Sequence, residues 1–335
     1  MRPKEFLVIL SGMIFVGMFA GGGRDCYSAQ EQEITVNGQK FTVSAKEVGR
    51  CKKFEISFSL PRKYSNPFDP DEIDIQAEFI SPSGKKEAAI GFWYQDYNGE
   101  EGSYGSEGEP LWKVRFSPAE TGEYKYCIVI KEEKGKKEIR YPQNNTYLTF
   151  RSIPSDSRGC IGVSKKDWHY FCYEDGSTFF PVGHGPDLSK DLLKKFARYK
   201  ENIVQTEFSG AVFRIEEGRK AKMGRYDLEK SFQADELLEQ AEELGIYLQF
   251  VFSQWHTWHA GDPEWKENPY NGANGGPLDN LEDFFRDKRT LDYYKKRVRY
   301  CIARWGYSAN VFCWILLSDR KNIRLQIRFS PASGL

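Results

Sequence analysis

The hydrophobic period of this chain changes once, at Ile153-Pro154-Ser155. Ahead of that point, apolar residues alternate with polar ones. Phe54, Ile56, Phe58 and Leu60 alternate with Glu55, Ser57 and Ser59. Ile73, Ile75, Ala77 and Phe79 keep the same rhythm, as do Trp112, Val114 and Phe116, and then Tyr124, Tyr126, Ile128 and Ile130. A period of two puts one face of a strand on a core and the other in water. Turn signals separate the runs: Asn66-Pro67, Ser81-Pro82-Ser83-Gly84, Asn98-Gly99 and Thr121-Gly122. Short strands with frequent turns predict an all-β sandwich over residues 30–152. The Gly-, Ser- and Glu-rich stretch 100–109 is expected to be a mobile loop.

Past the switch, helical spacing alternates with continuous apolar runs. Residues 168–173, the turn Asp175-Gly176 and Phe179-Phe180-Pro181-Val182-Gly183 read as a hairpin that opens the second part. Leu188, Leu192, Phe196 and Tyr199 fall on one helical face. Leu228, Phe232, Leu238, Ala241 and Leu244 mark a second helix, which Gly245 ends. Leu291, Tyr294, Val298, Cys301, Ile302 and Trp305 mark a longer one before Gly306. Between them, residues 203–208, 246–252 and 311–317 are the near-continuous apolar runs of buried parallel strands. Repeated βα units predict a parallel sheet with helical crossovers.

The N-terminus reads as an export signal. Arg2 and Lys4 precede an apolar run over 6–20, shorter than the roughly 20 residues that span a bilayer, and small residues follow at Ala20-Gly21-Gly22. A signal peptide over 1–29 implies a periplasmic or extracellular protein with no integral span once it is removed; an N-terminal anchor is the alternative. Export permits disulfides. Of the 7 cysteines, Cys51 and Cys127 are a candidate pair, the alternative being that they are small buried hydrophobes. No Cys-x-x-Cys occurs, so no zinc site is expected. Lys+Arg and Asp+Glu both number 48, which removes the electrostatic case for nucleic acid as a partner. Aromatics reach 15% of the chain, with 8 Trp and 19 Tyr. That suits sugar stacking and equally suits a β-rich core.

In a parallel barrel, reactive groups lie at the C-terminal ends of the strands and in the loops that follow. Those positions hold Gly183-His184-Gly185, then Thr206-Glu207-Phe208-Ser209, then Ser253-Gln254-Trp255-His256-Thr257-Trp258-His259, then Ser318-Asp319. In the third loop Trp255, Trp258, Trp265 and Tyr270 are candidates for stacking on sugar rings, with Gln254, His256 and His259 for binding hydroxyls and Glu207 beside them. The alternative is a loop that buries its own aromatics. His256 and His259 have the spacing of a metal pair, but no third ligand accompanies them, and neither metal nor cofactor is expected.

Residues 54–130 resemble a sandwich family of unassigned function often found ahead of bacterial glycoside hydrolases. The matching stretches are Asn66-Pro67-Phe68, Ala77-Glu78-Phe79, Ser81-Pro82-Ser83-Gly84-Lys85, Gly91-Phe92, Val114-Arg115-Phe116-Ser117-Pro118 and Gly122-Glu123-Tyr124-Lys125-Tyr126. Residues 160–314 resemble the cellulase- and mannanase-like (β/α)8 hydrolases. This match rests on Gly224-Arg225-Tyr226-Asp227-Leu228, Ala241-Glu242-Glu243-Leu244-Gly245-Ile246, Asn268-Pro269-Tyr270-Asn271, Gly275-Gly276-Pro277 and Arg304-Trp305-Gly306-Tyr307-Ser308. The resemblance implies a multidomain chain: an all-β sandwich, then an α/β partial TIM (β/α)8 barrel of about the first four βα units over 153–319, then a divergent tail over 320–335.

Such hydrolases use two glutamates, an acid/base after the fourth strand and a nucleophile after the seventh, about 5–5.5 Å apart in retaining enzymes. Here the run reads Trp314-Ile315-Leu316-Leu317-Ser318-Asp319, so that position for position Asp319 stands where the acid/base Glu is expected; the alternative is a chance residue in a divergent tail. Gln205 stands where related enzymes carry Arg. The sequence leaves the family from Ile315 onward, and 160–335 falls well short of the roughly 250 residues of a full barrel. A shifted reading frame accounts for both the loss and the basic tail; a genuine terminal helix or strand is the other reading. The resemblance therefore implies a glycoside hydrolase acting on a β-linked polysaccharide or oligosaccharide by ancestry, incomplete and inactive as written. The alternative is a non-catalytic carbohydrate-binding or surface structural protein. An open barrel edge would favour self-association.

Overall fold

Alternating burial runs through the first half of the molecule, a computed structural model that describes residues 31–100, 102–185, 188–207, 214–216, 223–252, 263–280 and 283–316. Ten strands make one mixed, curled sheet. They are β1 (Gln32–Val36), β2 (Gln39–Val43), β3 (Glu47–Gly49), β4 (Phe54–Phe58), β5 (Ile73–Ile80), β6 (Lys86–Asn98), β7 (Gly105–Phe116), β8 (Gly122–Glu132), β9 (Lys137–Tyr141) and β10 (Leu148–Ile153). Their order is β1-β2-β4-β7-β6-β5-β8-β10-β3, with β9 on β8. The alternation read at Ile73, Ile75, Ala77 and Phe79 is the buried face of β5. The sheet curls around an aromatic core in which Phe54 stacks on Phe150 at 4.0 Å and Phe79 on Phe116 at 3.9 Å between ring centroids.

One long strand joins the two halves of this curl. The first part of β6 pairs with β5, as in Gln76 with Ile90, and the rest pairs with β7 from Gly91 with Val114 onward. A side chain at Gly91 would meet Ile75 Cγ2 at 2.5 Å, so glycine lets the layers close at the crossing. The expected loop over 100–109 is shorter than its composition suggested. Residues 105–109 belong to β7, where Gly105 pairs with Asn98 and Glu107 with Asp96. Polar composition marks this ribbon's exposure and not its lack of backbone partners.

The second half is built on four parallel strands, β14 (Gly183–His184), β15 (Ile203–Glu207), β16 (Tyr247–Val251) and β17 (Val311–Ile315), in sequence order. They follow a small antiparallel sheet of β11 (Ile161–Val163), β12 (Phe171–Tyr173) and β13 (Thr178–Phe179). The expected hairpin about Asp175-Gly176 is β12–β13, and β11 adds a third strand to it. Crossovers are α1 (Lys190–Arg198), α2 (Leu228–Leu244) and α4 (Lys288–Trp305), with the short α3 (Pro263–Glu267) between the last two. Each long helix starts on a side-chain cap: Ser189 accepts from Leu192, Asp227 from Lys230 and Asp287 from Thr290. Gly245 ends α2 at φ 69°, as the sequence signal required.

The two halves share a core. Phe92 and Tyr94 on the outer face of β6 pack with Leu237 and Leu238 of α2 and with Tyr300 and Trp305 of α4. A buried ion network locks this junction. Asp235 of α2 accepts Arg115 of β7 through both oxygens at 3.0 Å, Arg304 of α4 at 3.0 and 2.8 Å, and the Trp305 indole at 2.7 Å. Glu55 of β4 takes Arg115 and Lys113, each at 2.7 Å. Burial works to raise the Asp235 and Glu55 carboxyls, but cations outweigh it. Arg115 and Arg304 hold Asp235 well below the carboxylate range, and Arg115 and Lys113 bring Glu55 down to about 2.

The candidate pair Cys51 and Cys127 is not joined: both thiols are free. Cys51 lies against Glu174, whereas Cys127 is buried between Glu78 and Arg140, so the two belong to different neighbourhoods. No helix among the described residues is long and apolar enough to cross a membrane.

Candidate functional site

Side chains alternate across the parallel sheet, and the two faces differ in chemistry. Val204, Leu248, Phe250 and Phe252 lie in the core shared with the helices. The opposite parity therefore lies on the face away from the helices, here called the inner face, and it carries Ile203, Gln205 and Glu207 on β15 and Tyr247, Gln249 and Val251 on β16. Ile203 is in register with Tyr247, Gln205 with Gln249 and Glu207 with Val251. At the strand starts this face is closed by aromatics: Tyr247 meets Tyr173 and Phe179 of the small sheet, and Phe312 of β17 meets Phe171 and Phe179. One step further along come Gln205 and Gln249 side by side, and at the strand end comes Glu207; all three are half-buried. Gly185 lies against Gln205, where a side chain would sit 3.2 Å from its Cβ.

Two amides and a carboxylate on the inner face of a sheet offer donors and acceptors without excess charge. His184, also at a strand end, is directed elsewhere. Its Nδ1 is 2.8 Å from Glu201, and its ring lies against Phe196 of α1.

The loops beyond the strand ends are held by a second buried carboxylate. Glu216, fully buried, accepts the Gly224 amide at 2.7 Å and the Tyr270 hydroxyl at 3.1 Å, and Arg297 of α4 approaches it at 3.8 Å. Arg297 also donates to the Phe252 carbonyl at the end of β16 at 3.1 Å. Burial, then the Glu216 charge, pushes the Tyr226 and Tyr270 hydroxyls well above their ordinary range, so both stay protonated. Around Tyr270 the chain folds on its own polar side chains. Asn268 accepts the Tyr270 amide at 2.9 Å, and Asn274 donates to the carbonyls of Lys266 and Asn268. Gly276 passes so close that a side chain would fall 2.2 Å from the Tyr270 carbonyl carbon.

Of the residues singled out from sequence, Glu207 stands at the strand end as expected. Trp265 and Tyr270 do not present ring faces: they are 6% and 0% exposed and pack with Leu278 and Phe284. A buried ring has no free face for a sugar, so these two serve the local core. Gln254, Trp255, His256, Trp258, His259 and Asp319 lie outside the described residues. Gln249 and Glu216 escaped the sequence reading. Gln249 interrupts an apolar strand, a signal available locally, but its neighbour Gln205 is set by register. Glu216 sits in a charged run and gave no local signal at all.

Residues 47–131 match a family described as a domain of unknown function, DUF5060. No curated protein matches the chain. Among solved structures, a "putative glycoside hydrolase" from Bacteroides vulgatus is similar in fold, with a TM-score of 0.55 and 20% identity over 80% of this chain. The chain spans 48% of that protein's length. A purple acid phosphatase from yellow lupin (TM-score 0.23, 11% identity, covering 71% of this chain and 41% of that one) is too distant to carry an argument. The same holds for a xyloglucanase from Bacteroides ovatus (TM-score 0.17, 11% identity, covering 72% and 60%).

Proposed function

We propose that this chain is an exported protein of glycoside-hydrolase type that handles a β-linked polysaccharide. In this reading an N-terminal β-sandwich precedes about the first four βα units of a (β/α)8 barrel. The observation that carries the proposal is the polar row Gln205, Gln249 and Glu207 on the inner face of a parallel sheet, ending at the strand tips. The fold shared with the Bacteroides vulgatus protein supports it. Trp255 and Trp258 would add ring platforms to that row, and Gln254, His256 and His259 further hydrogen bonds to hydroxyls. The strands β14 and β17 are the outer members of the sheet among the described residues. Exposed Phe180 and Val182 precede the first, and exposed Leu316 follows the second. Self-association through these edges is part of the proposal.

Hydrolysis with retention needs two carboxyl groups about 5–5.5 Å apart, one protonated and one ionised. The carboxylate that the described strand ends carry is Glu207, with Asp319 proposed as a shortened acid/base. This favours a second reading, capture of the glycan without cleavage. Affinity gels and sugar-release assays on β-glucans and β-mannans separate the two. The expected result is retardation by at least one polymer, weakened roughly tenfold in Glu207→Gln, about the effect of one lost charged hydrogen bond. Sugar release abolished by Asp319→Asn would select hydrolysis. Neither retardation nor release with any β-linked polymer would overturn the proposal.

A further inference from the structure

We infer that Cys51 and Cys160 form a cross-linking site, where a disulfide fastens the turn after β3 to the small sheet that opens the second half. Cys51 occupies that turn at φ 59°, its amide donating to the Pro118 carbonyl at 2.8 Å. Its thiol lies 4.0 Å from Glu174 Oε2. Cys160 immediately precedes β11, whose ladder with β12 ends where Ile161 pairs with Tyr173, the neighbour of Glu174. The two segments are already fastened at this point by polar contacts. Arg50 donates to Glu174 at 3.4 Å and to the Ser157 carbonyl at 3.1 Å, and Ser155 donates back to the Arg50 carbonyl. Gly159, at φ +80°, lets the chain close on Glu174, where a side chain would fall 2.2 Å from Oε2.

The Glu174 carboxylate thus lies against the Cys51 thiol, close to the strand start that Cys160 precedes. The nearness of the two cysteines also shows in their electrostatics. After desolvation, the charge of Cys51 is the largest influence raising the Cys160 thiol, ahead of Glu174. Both thiols are unjoined here; Cys160 is an exposed residue, whereas Cys127 and Cys301 are buried.

The chemistry is thiol–disulfide exchange with a small disulfide oxidant such as oxidised glutathione. One cysteine thiolate attacks the glutathione disulfide, breaking its S–S bond and releasing one glutathione thiolate. The second cysteine thiolate then attacks the mixed disulfide and releases the other. The Cys51–Cys160 bond forms, two electrons pass to glutathione, and the two protons lost by the cysteines end on the two glutathione thiols.

The full chain treated with oxidised glutathione, alkylated, digested without reduction and mapped by mass spectrometry tests this. The expected product joins the peptides of Cys51 and Cys160. The unfolding midpoint should rise on the order of 5 °C over the reduced chain, and that rise should be absent in the surface variant Cys160→Ser. Recovery of both cysteines as alkylated or glutathionylated species, or of Cys51 joined to Cys172 or Cys127, would overturn the inference.

Discussion

Charge is used in opposite ways at the two faces of the parallel sheet. On the helix side, Asp235 is closed in by Arg115, Arg304 and the Trp305 indole, in a buried network. On the inner side, Gln205, Gln249 and Glu207 are half-buried and grouped at one end of the sheet. A fully buried carboxylate with five donors is a structural joint: removing one partner strands the others. The half-buried row is where we propose that a ligand meets the chain. Burial, more than residue type, therefore separates residues that hold this protein from those proposed to face a ligand.

The contrast is broken most directly at Asp235. Asp235→Ala leaves Arg115 and Arg304 without their shared carboxylate, and urea unfolding followed by circular dichroism should show a loss of about 3–5 kcal/mol. The next effect is at Glu216. Glu216→Ala removes the acceptor for the Gly224 amide and the Tyr270 hydroxyl, and the same measurement should lose about 2–3 kcal/mol.

Acid should weaken the junction. Glu55 and Asp235 have folded pKa values below their unfolded ones, so the unfolded chain binds more protons as pH falls below about 4. Their contribution is complete above that pH and is lost as pH falls toward about 2, the folded value at Glu55. A stability profile flat from pH 6 to 2 would break this account. The smallest expected effect on the fold is at Gln249. Gln249→Ala should change stability by no more than about 0.5 kcal/mol while weakening polysaccharide retardation several-fold. A large loss of stability there would erase the distinction between the two faces.

The elements that could be read locally are those whose residues meet core and solvent in turn. The burial of Ile73, Ile75, Ala77 and Phe79, the cap at Asp227 and the stop at Gly245 all follow from sequence period and cap chemistry. What could not be read is partnership at a distance. Asp235 sits between Ala234 and Glu236 in an acidic helix and looks solvated; it is buried because Arg115, 120 positions away, meets it. Likewise β6 is a single run in sequence, and nothing local says that its first part belongs with β5 and the rest with β7. At the site, Glu207 could be read from its place at a strand end. The pairing of Gln205 with Gln249 needed register. The short motifs that resemble hydrolases proved largely architectural. Arg304 and Trp305 bind Asp235, Tyr226 stacks on Tyr300, and Tyr270 serves Glu216.

The outer face of β6 bears on how this protein can be taken apart. Phe92 and Tyr94 lie in the core with α2 and α4, and Arg115 beside them is neutralised from the same side. The first ten strands are therefore not a portable module. Severed after the tenth strand, they would carry a greasy, cationic scar into water. Transplanted ahead of another enzyme, they would need that host to bring its own counterpart of Asp235.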